Sequence, residues 1–240
     1  MRAIRRAVKR LVEFRGLDET AAVRERLAER SAVHRDRGWP YCPVDMGDLL
    51  FRLRGLAPSG DALEVGMATG STALYLLAGL PSHRLVSIDH AHGDFDREGE
   101  WLIREAGLAD RHQLIEADSV AVLPQLWREG RRFSLAFLDG WKGFDRLWVD
   151  TFYCAQMLTV GGYIVFDDSR MPAVRKGIRL LRRYYEFEPL DSYSLIGGWK
   201  QRVWHLLSTR SLHRPYFALR KRAEIDETRA GSEYGFWRPF

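Results

Sequence analysis

Cysteine is scarce, with two in 240 residues, Cys42 and Cys154. Neither belongs to a Cys-x-x-Cys pair or stands at Cys/His ligand spacing, which argues against a zinc framework. A disulfide between them stays open, although two thiols in a reducing compartment are the simpler reading. Long apolar runs are also absent. No stretch approaches the ~18 apolar residues of a membrane-spanning helix. The basic start MRAIRRAVKRLVEF lacks the apolar core and small-residue cleavage site of a secretory signal. The expected location is the cytoplasm. There is no Gly-x-Gly-x-x-Gly turn for a dinucleotide pyrophosphate and no Ser-His-Asp nucleophile elbow. Internal repeats and low-complexity tracts are missing too.

Acidic charge is thin at both ends. Residues 1–37 carry 11 Lys/Arg against 6 Asp/Glu, and residues 200–240 carry 9 against 4. The intervening stretch carries 17 against 22 and is net acidic. An acidic middle is a poor surface for gripping nucleic acid, so no nucleic-acid partner is expected. The basic ends read as solvated faces in preference to a site for an anionic partner or membrane.

The length suits one α/β domain with additions. Residues 1–42 form a helical N-terminal extension, two helices broken near Gly16. Ile4, Val8, Leu11 and Val12 share one face of the first, amid arginines. Such a helix can lie on a membrane, pack on its own domain or meet a second subunit; the last two readings are preferred. Asp18 N-caps a second helix through about His34. Pro40 and Pro43 break the periodicity, and a short helix follows near Asp45–Arg54.

From Asp61 apolar strands alternate with helices. Strands fall at Ala62–Val65, Arg84–Asp89, His112–Ala117, Phe133–Leu138 and Tyr163–Phe166. Helices fall at Ser71–Leu80, Asp94–Ala106, Ser119–Trp127, Arg146–Leu158 and Ala173–Tyr184. Two more strands, Tyr185–Leu190 and Arg202–Ser208, have no helix between them. This order predicts an α/β fold: a Rossmann-like, mostly parallel seven-stranded sheet with helices on both faces and a terminal antiparallel hairpin. The domain should span residues 43–210, followed by a basic, aromatic tail over 211–240. The N-terminal helices and the Tyr234–Phe240 aromatics are candidate contacts for a homodimer.

Four motifs sit at strand ends. Glu64-Val65-Gly66-Met67-Ala68-Thr69-Gly70 forms the first strand-to-helix turn, with Ser71 opening the helix; its glycines let a ligand approach the backbone. The pattern Glu-x-Gly-x-x-x-Gly resembles motif I of class I methyltransferases, which implies S-adenosylmethionine as cofactor. Asp89 closes the second strand about 20 residues on, where an acid accepts hydrogen bonds from ribose hydroxyls. His90 and His92 flank it as loop residues, with His90 placed on the cofactor side. In Glu116-Ala117-Asp118-Ser119, the resemblance places Asp118 or Ser119 near the adenine. Asp118 serves equally well as an N-cap.

The fourth motif is the most specific. Asp139-Gly140-Trp141-Lys142 ends one strand and Asp167-Asp168 ends the next. Three carboxylates on adjacent strand ends repel without a cation, and their hard oxygens suit Mg²⁺. Lys142 lies close enough to act as a base, and Trp141 reads as an active-site wall. Asp-x-x-Lys followed 28 residues later by an acidic pair resembles the metal-dependent catechol and caffeoyl-CoA O-methyltransferases. The likeness runs over residues 43–208, with Asp168 where many members carry Asn. It implies Asp139, Asp167 and Asp168 as metal ligands, Lys142 as general base, and a small hydroxylated molecule as acceptor. Three rival readings stand beside it: a metal-independent methyltransferase of a sugar or natural-product intermediate, a nucleic-acid methyltransferase, and a non-catalytic cofactor-binding scaffold.

Overall fold

The computed structural model describes residues 17–78, 83–190 and 215–225. The expected first helix, the strand Arg202–Ser208, the loop near Asp191–Lys200 and the aromatic end lie outside the described residues. The chain begins with α1 (Leu17–Asp36) and α2 (Val44–Leu56) and then alternates. The order is β1 (Ala62–Val65), α3 (Ser71–Leu77), β2 (Leu85–Ile88), α4 (Glu98–Glu105), β3 (His112–Ile115) and α5 (Ser119–Arg128). There follow β4 (Phe133–Leu138), α6 (Phe144–Met157), β5 (Leu158–Phe166), α7 (Pro172–Tyr184), β6 (Phe187–Pro189) and β7 (Phe217–Lys221).

The seven strands lie in the order β3-β2-β1-β4-β5-β7-β6. The first five are parallel, and β7 runs antiparallel between β5 and β6. This is the expected mixed sheet. β1, β2 and β4 are buried along their whole length, as continuous apolar runs in a covered parallel sheet should be. Side chains alternate between two cores. Phe133, Ala136 and Leu138 join Leu123 of α5, Leu147 of α6 and Leu181 of α7 on one face. Leu135 and Phe137 join Leu50 of α2, Leu74 of α3 and Leu102 of α4 on the other.

Register sets the site. Val65 pairs with both Ile88 and Leu138, and Leu138 pairs with Phe166. The residues that follow these four therefore emerge together at the carboxyl edge, where the strand order reverses. Two stretches depart from expectation. The helix foreseen over Asp94–Ala106 is a 3₁₀ turn, His92–Phe95, then left-handed Asp96 and Arg97, and then α4. Its start is set by packing, because Gly99 abuts the glycine turn at Gly70.

The second departure is the strand that pairs with β5. It is Phe217–Lys221, drawn from the stretch read as a tail. Lys221 explains why so basic a segment enters a sheet. Its side chain is buried, and Nζ donates to Ala155 O at 3.1 Å and Leu158 O at 2.6 Å, capping the carbonyl end of α6. Glu224 Oε2, 3.1 Å away, supplies the counter-charge.

Candidate active site

The glycine turn is built under constraint. Gly66 has φ +90°, and a Cβ there would lie 2.5 Å from the carbonyl oxygen of Asp139. Only glycine satisfies both conditions. Ala68 is also left-handed, at φ +45°, a strained state that the surroundings must hold. Asp89 does this. Its Oδ2 accepts from the N–H groups of Met67 (2.8 Å) and Ala68 (2.7 Å), and its Oδ1 accepts from Ala91 N–H at 2.8 Å. Asp89 thus organises the turn from the position foreseen for a ribose acid. Buried His92 faces Ala68 O through Nδ1 at 3.2 Å.

Three residues read as cofactor contacts have partners inside the domain. Glu64 has no exposed surface, and its carboxylate accepts from Thr72 Oγ1 and, at 2.6 Å, Ser87 Oγ. Burial raises its pKa to about 7. Met67 is buried against Gly70 and Gly99, and Ser71 is buried with its Oγ 3.2 Å from Thr69 Oγ1.

Next to this turn, His90 is exposed. Asp118 N-caps α5, accepting from Val120 N–H at 3.2 Å, and pairs with Arg146, which lowers its pKa. Ser119 neighbours Asp150 of α6, a residue missed in the sequence because it sits among apolar helix positions. Asp150 is buried, which raises its pKa to about 6, and its Oδ1 has no hydrogen-bond partner among the described residues.

The acidic cluster forms as the spacing suggests. Asp139 N–H donates to Val65 O at 2.8 Å and Asp167 N–H to Leu138 O at 3.0 Å, which sets both at the sheet edge. Asp168 is left-handed, at φ +50°. One oxygen from each of Asp139, Asp167 and Asp168 lies within 4.8 Å of the others. Lys142 Nζ stands 2.7 Å from Asp139 Oδ1 and 3.6 Å from Asp168 Oδ2. Burial raises the pKa of Asp139 against the pull of Lys142. Burial, and then the charge of Asp139, pushes Asp167 up to about 7. Trp141 is 65% exposed. Its indole folds over Gly143, where a Cβ would lie 2.6 Å from Nε1.

The segment between α1 and α2 closes over this edge. Thr69 Oγ1 donates to Pro40 O at 2.8 Å. The Cys42 thiol, its pKa raised well above the ordinary value by burial, also feels the carboxylates of Asp167, Asp139 and Asp45. The C-terminal stretch reaches the same place. Ser169 N–H donates to Pro215 O at 2.8 Å, and Tyr216 Oη donates to Asp45 Oδ2 at 2.8 Å. No local pattern announces contacts across such separations.

Residues 63–169 match the family model described as a methyltransferase domain. A caffeoyl-CoA O-methyltransferase of Populus kitakamiensis is 27% identical over 130 residues, covering 53% of this chain and 54% of that protein. The chain thus spans about half the length of the curated relatives it matches. Among solved structures, the O-methyltransferase from Bacillus cereus in complex with SAH has TM-score 0.60 at 19% identity, covering 69% of this chain and 82% of that one. The O-methyltransferase TomG from Streptomyces achromogenes, in complex with SAM, has TM-score 0.58 at 21% identity, covering 83% and 90%. The folds agree, and the matched stretch runs from the glycine turn to the acidic pair. Residues 63–169 thus carry the match to a methyltransferase domain, and over about half of its length the chain resembles the caffeoyl-CoA O-methyltransferase group.

Proposed function

We propose that the protein is an O-methyltransferase that moves the methyl group of S-adenosylmethionine to a hydroxyl of a small molecule, with Lys142 as base and Mg²⁺ held by Asp139, Asp167 and Asp168. The observation that carries this reading is the convergence of three carboxylate oxygens within 4.8 Å beside the ammonium of Lys142.

The donor set fits a hard dication. All three groups are carboxylates, and one lysine offsets three charges. The cluster is half-open at the strand ends, which leaves room for water or acceptor oxygen. A bound Mg²⁺ supplies Lewis acidity that lowers the pKa of a hydroxyl. Lys142 Nζ, beside Asp139 and Asp168, is placed to take the acceptor's hydroxyl proton. The glycine turn fixes the cofactor beside this point, and holding the two reactants together contributes much of the acceleration. Trp141 shields one side.

The test is titration of S-adenosylmethionine and S-adenosylhomocysteine in Mg²⁺ and in EDTA, followed by methyl transfer to a panel of phenols and catechols. Cofactor binding with transfer that stops in EDTA supports the full reading. Transfer insensitive to EDTA removes the metal and leaves the methyltransferase. Absence of cofactor binding removes the reading altogether.

A further inference from the structure

Seven large apolar side chains are exposed among the described residues. Four of them, Tyr41, Val44, Trp141 and Met171, belong to segments tied to the glycine turn and the acidic strand ends. Tyr41 follows Pro40, which is bonded to Thr69 of the glycine turn. Trp141 precedes Lys142. Met171 N–H donates to Asp168 O at 2.8 Å. Val44 precedes Asp45. An apolar rim this concentrated around a charged floor suits a ligand with an apolar body and a polar end.

Asp45 is the polar exception on that rim. It stands in the first turn of α2 and is half-exposed. Its Oδ1 accepts from Met46 N–H at 3.0 Å and its Oδ2 from buried Tyr216 at 2.8 Å. Each carboxylate oxygen keeps a further lone pair. Tyr216 is itself tied to the metal-side loop, since its neighbour Pro215 accepts from Ser169, the residue after Asp168. Two hydrogen bonds and two chain steps therefore link Asp168 to Asp45. The carboxylate is held in one place beside the apolar rim, and no cation pairs with it among the described residues.

We infer that Asp45, oriented by Tyr216, is a specificity-determining residue of the acceptor site, accepting a hydrogen bond from a second protic group, hydroxyl or ammonium, on an acceptor whose apolar body lies against Tyr41, Val44, Trp141 and Met171. This rests on the methyltransferase reading and adds the acceptor's chemistry to it. A fixed charged acceptor discriminates against a ligand that lacks the matching donor.

The experiment uses the full chain loaded with S-adenosylhomocysteine and Mg²⁺ and three phenols of one apolar body. These are 4-ethylphenol with no second donor, tyrosol with a hydroxyl and tyramine with an ammonium. Tyrosol or tyramine should bind at least tenfold more tightly than 4-ethylphenol, and the preferred one identifies the donor. In Asp45→Asn this ratio should fall at least fivefold with affinity for S-adenosylhomocysteine unchanged, because an amide is the weaker acceptor. Tyr216→Phe, which removes the orienting hydroxyl, should lower the ratio in the same direction and carries the test if Asp45→Asn does not fold. Equal affinities for the three phenols, including none measurable, overturn the inference, as does a ratio unchanged in both variants. Failure of S-adenosylhomocysteine to bind the wild-type chain would instead remove the methyltransferase reading beneath it.

Discussion

The carbonyl oxygen of Asp139 occupies the space where a side chain of Gly66 would begin, 2.5 Å from the Cβ position. The cofactor turn and the proposed metal strand are thereby pressed into one unit. Asp139 N–H closes it by donating to Val65 O at 2.8 Å.

Gly66→Ala should therefore damage both sites. A left-handed backbone costs a side chain roughly 1–2 kcal/mol, and the clash adds to that. The expected result is a melting temperature several degrees lower and a loss of S-adenosylhomocysteine affinity of at least tenfold. Calorimetry on one sample reads both.

Asp167→Asn should separate stability from activity. The substitution removes one of three mutually repelling carboxylates. In EDTA the variant should melt above the wild type, and added Mg²⁺ should raise the melting temperature of the wild type alone. Methyl transfer should be lost. A wild-type melting curve indifferent to Mg²⁺ would contradict the metal assignment.

Lys142→Met should leave cofactor affinity within about twofold and lower the rate of transfer by 10²–10⁴, the usual contribution of a positioned base. Single-turnover rates with saturating cofactor would measure it. An unchanged rate would remove the role assigned to Nζ.

Lys221→Met tests the inserted strand. The change keeps the length of the side chain but strips the carbonyls of Ala155 and Leu158, and the carboxylate of Glu224, of their shared donor. A loss of about 1–3 kcal/mol is expected in denaturant unfolding.

Glu64 predicts a pH dependence. Its pKa is raised from 4.5 to about 7 by burial. Between these values the folded chain holds a proton that the unfolded chain has released. The stability so gained is fully present below pH 4.5 and is lost as pH rises through about 7. Glu64→Gln should flatten this part of the stability curve, by an amount on the order of 3 kcal/mol across the window.

Much of this was legible before the fold was known. Apolar runs such as Phe133–Leu138 and Ala62–Val65 admit little but buried strands, and the helices between them force parallel crossovers. Since ligands gather at the carboxyl edge of such a sheet, Gly66, Asp89, Asp139 and Asp167 could be grouped from their places at strand ends. Asp118 illustrates where local patterns stop. Its position suited both an adenine contact and a helix cap; the structure shows it capping α5 and adds a partner, Arg146, that no local pattern announced.

The sequence by itself determined the alternation, the strand ends and the acid–lysine spacing, because these follow from periodicities of two and 3.6 residues and from short chain distances. Tertiary structure decided the rest. It turned Glu64 inward, gave Asp89 the N–H groups of the glycine turn, drew Phe217–Lys221 between β5 and β6, and set Tyr216 against Asp45 across 171 positions. Contacts between such distant segments leave no periodic trace, since their energy comes from burial and hydrogen-bond satisfaction realised only when the whole core assembles.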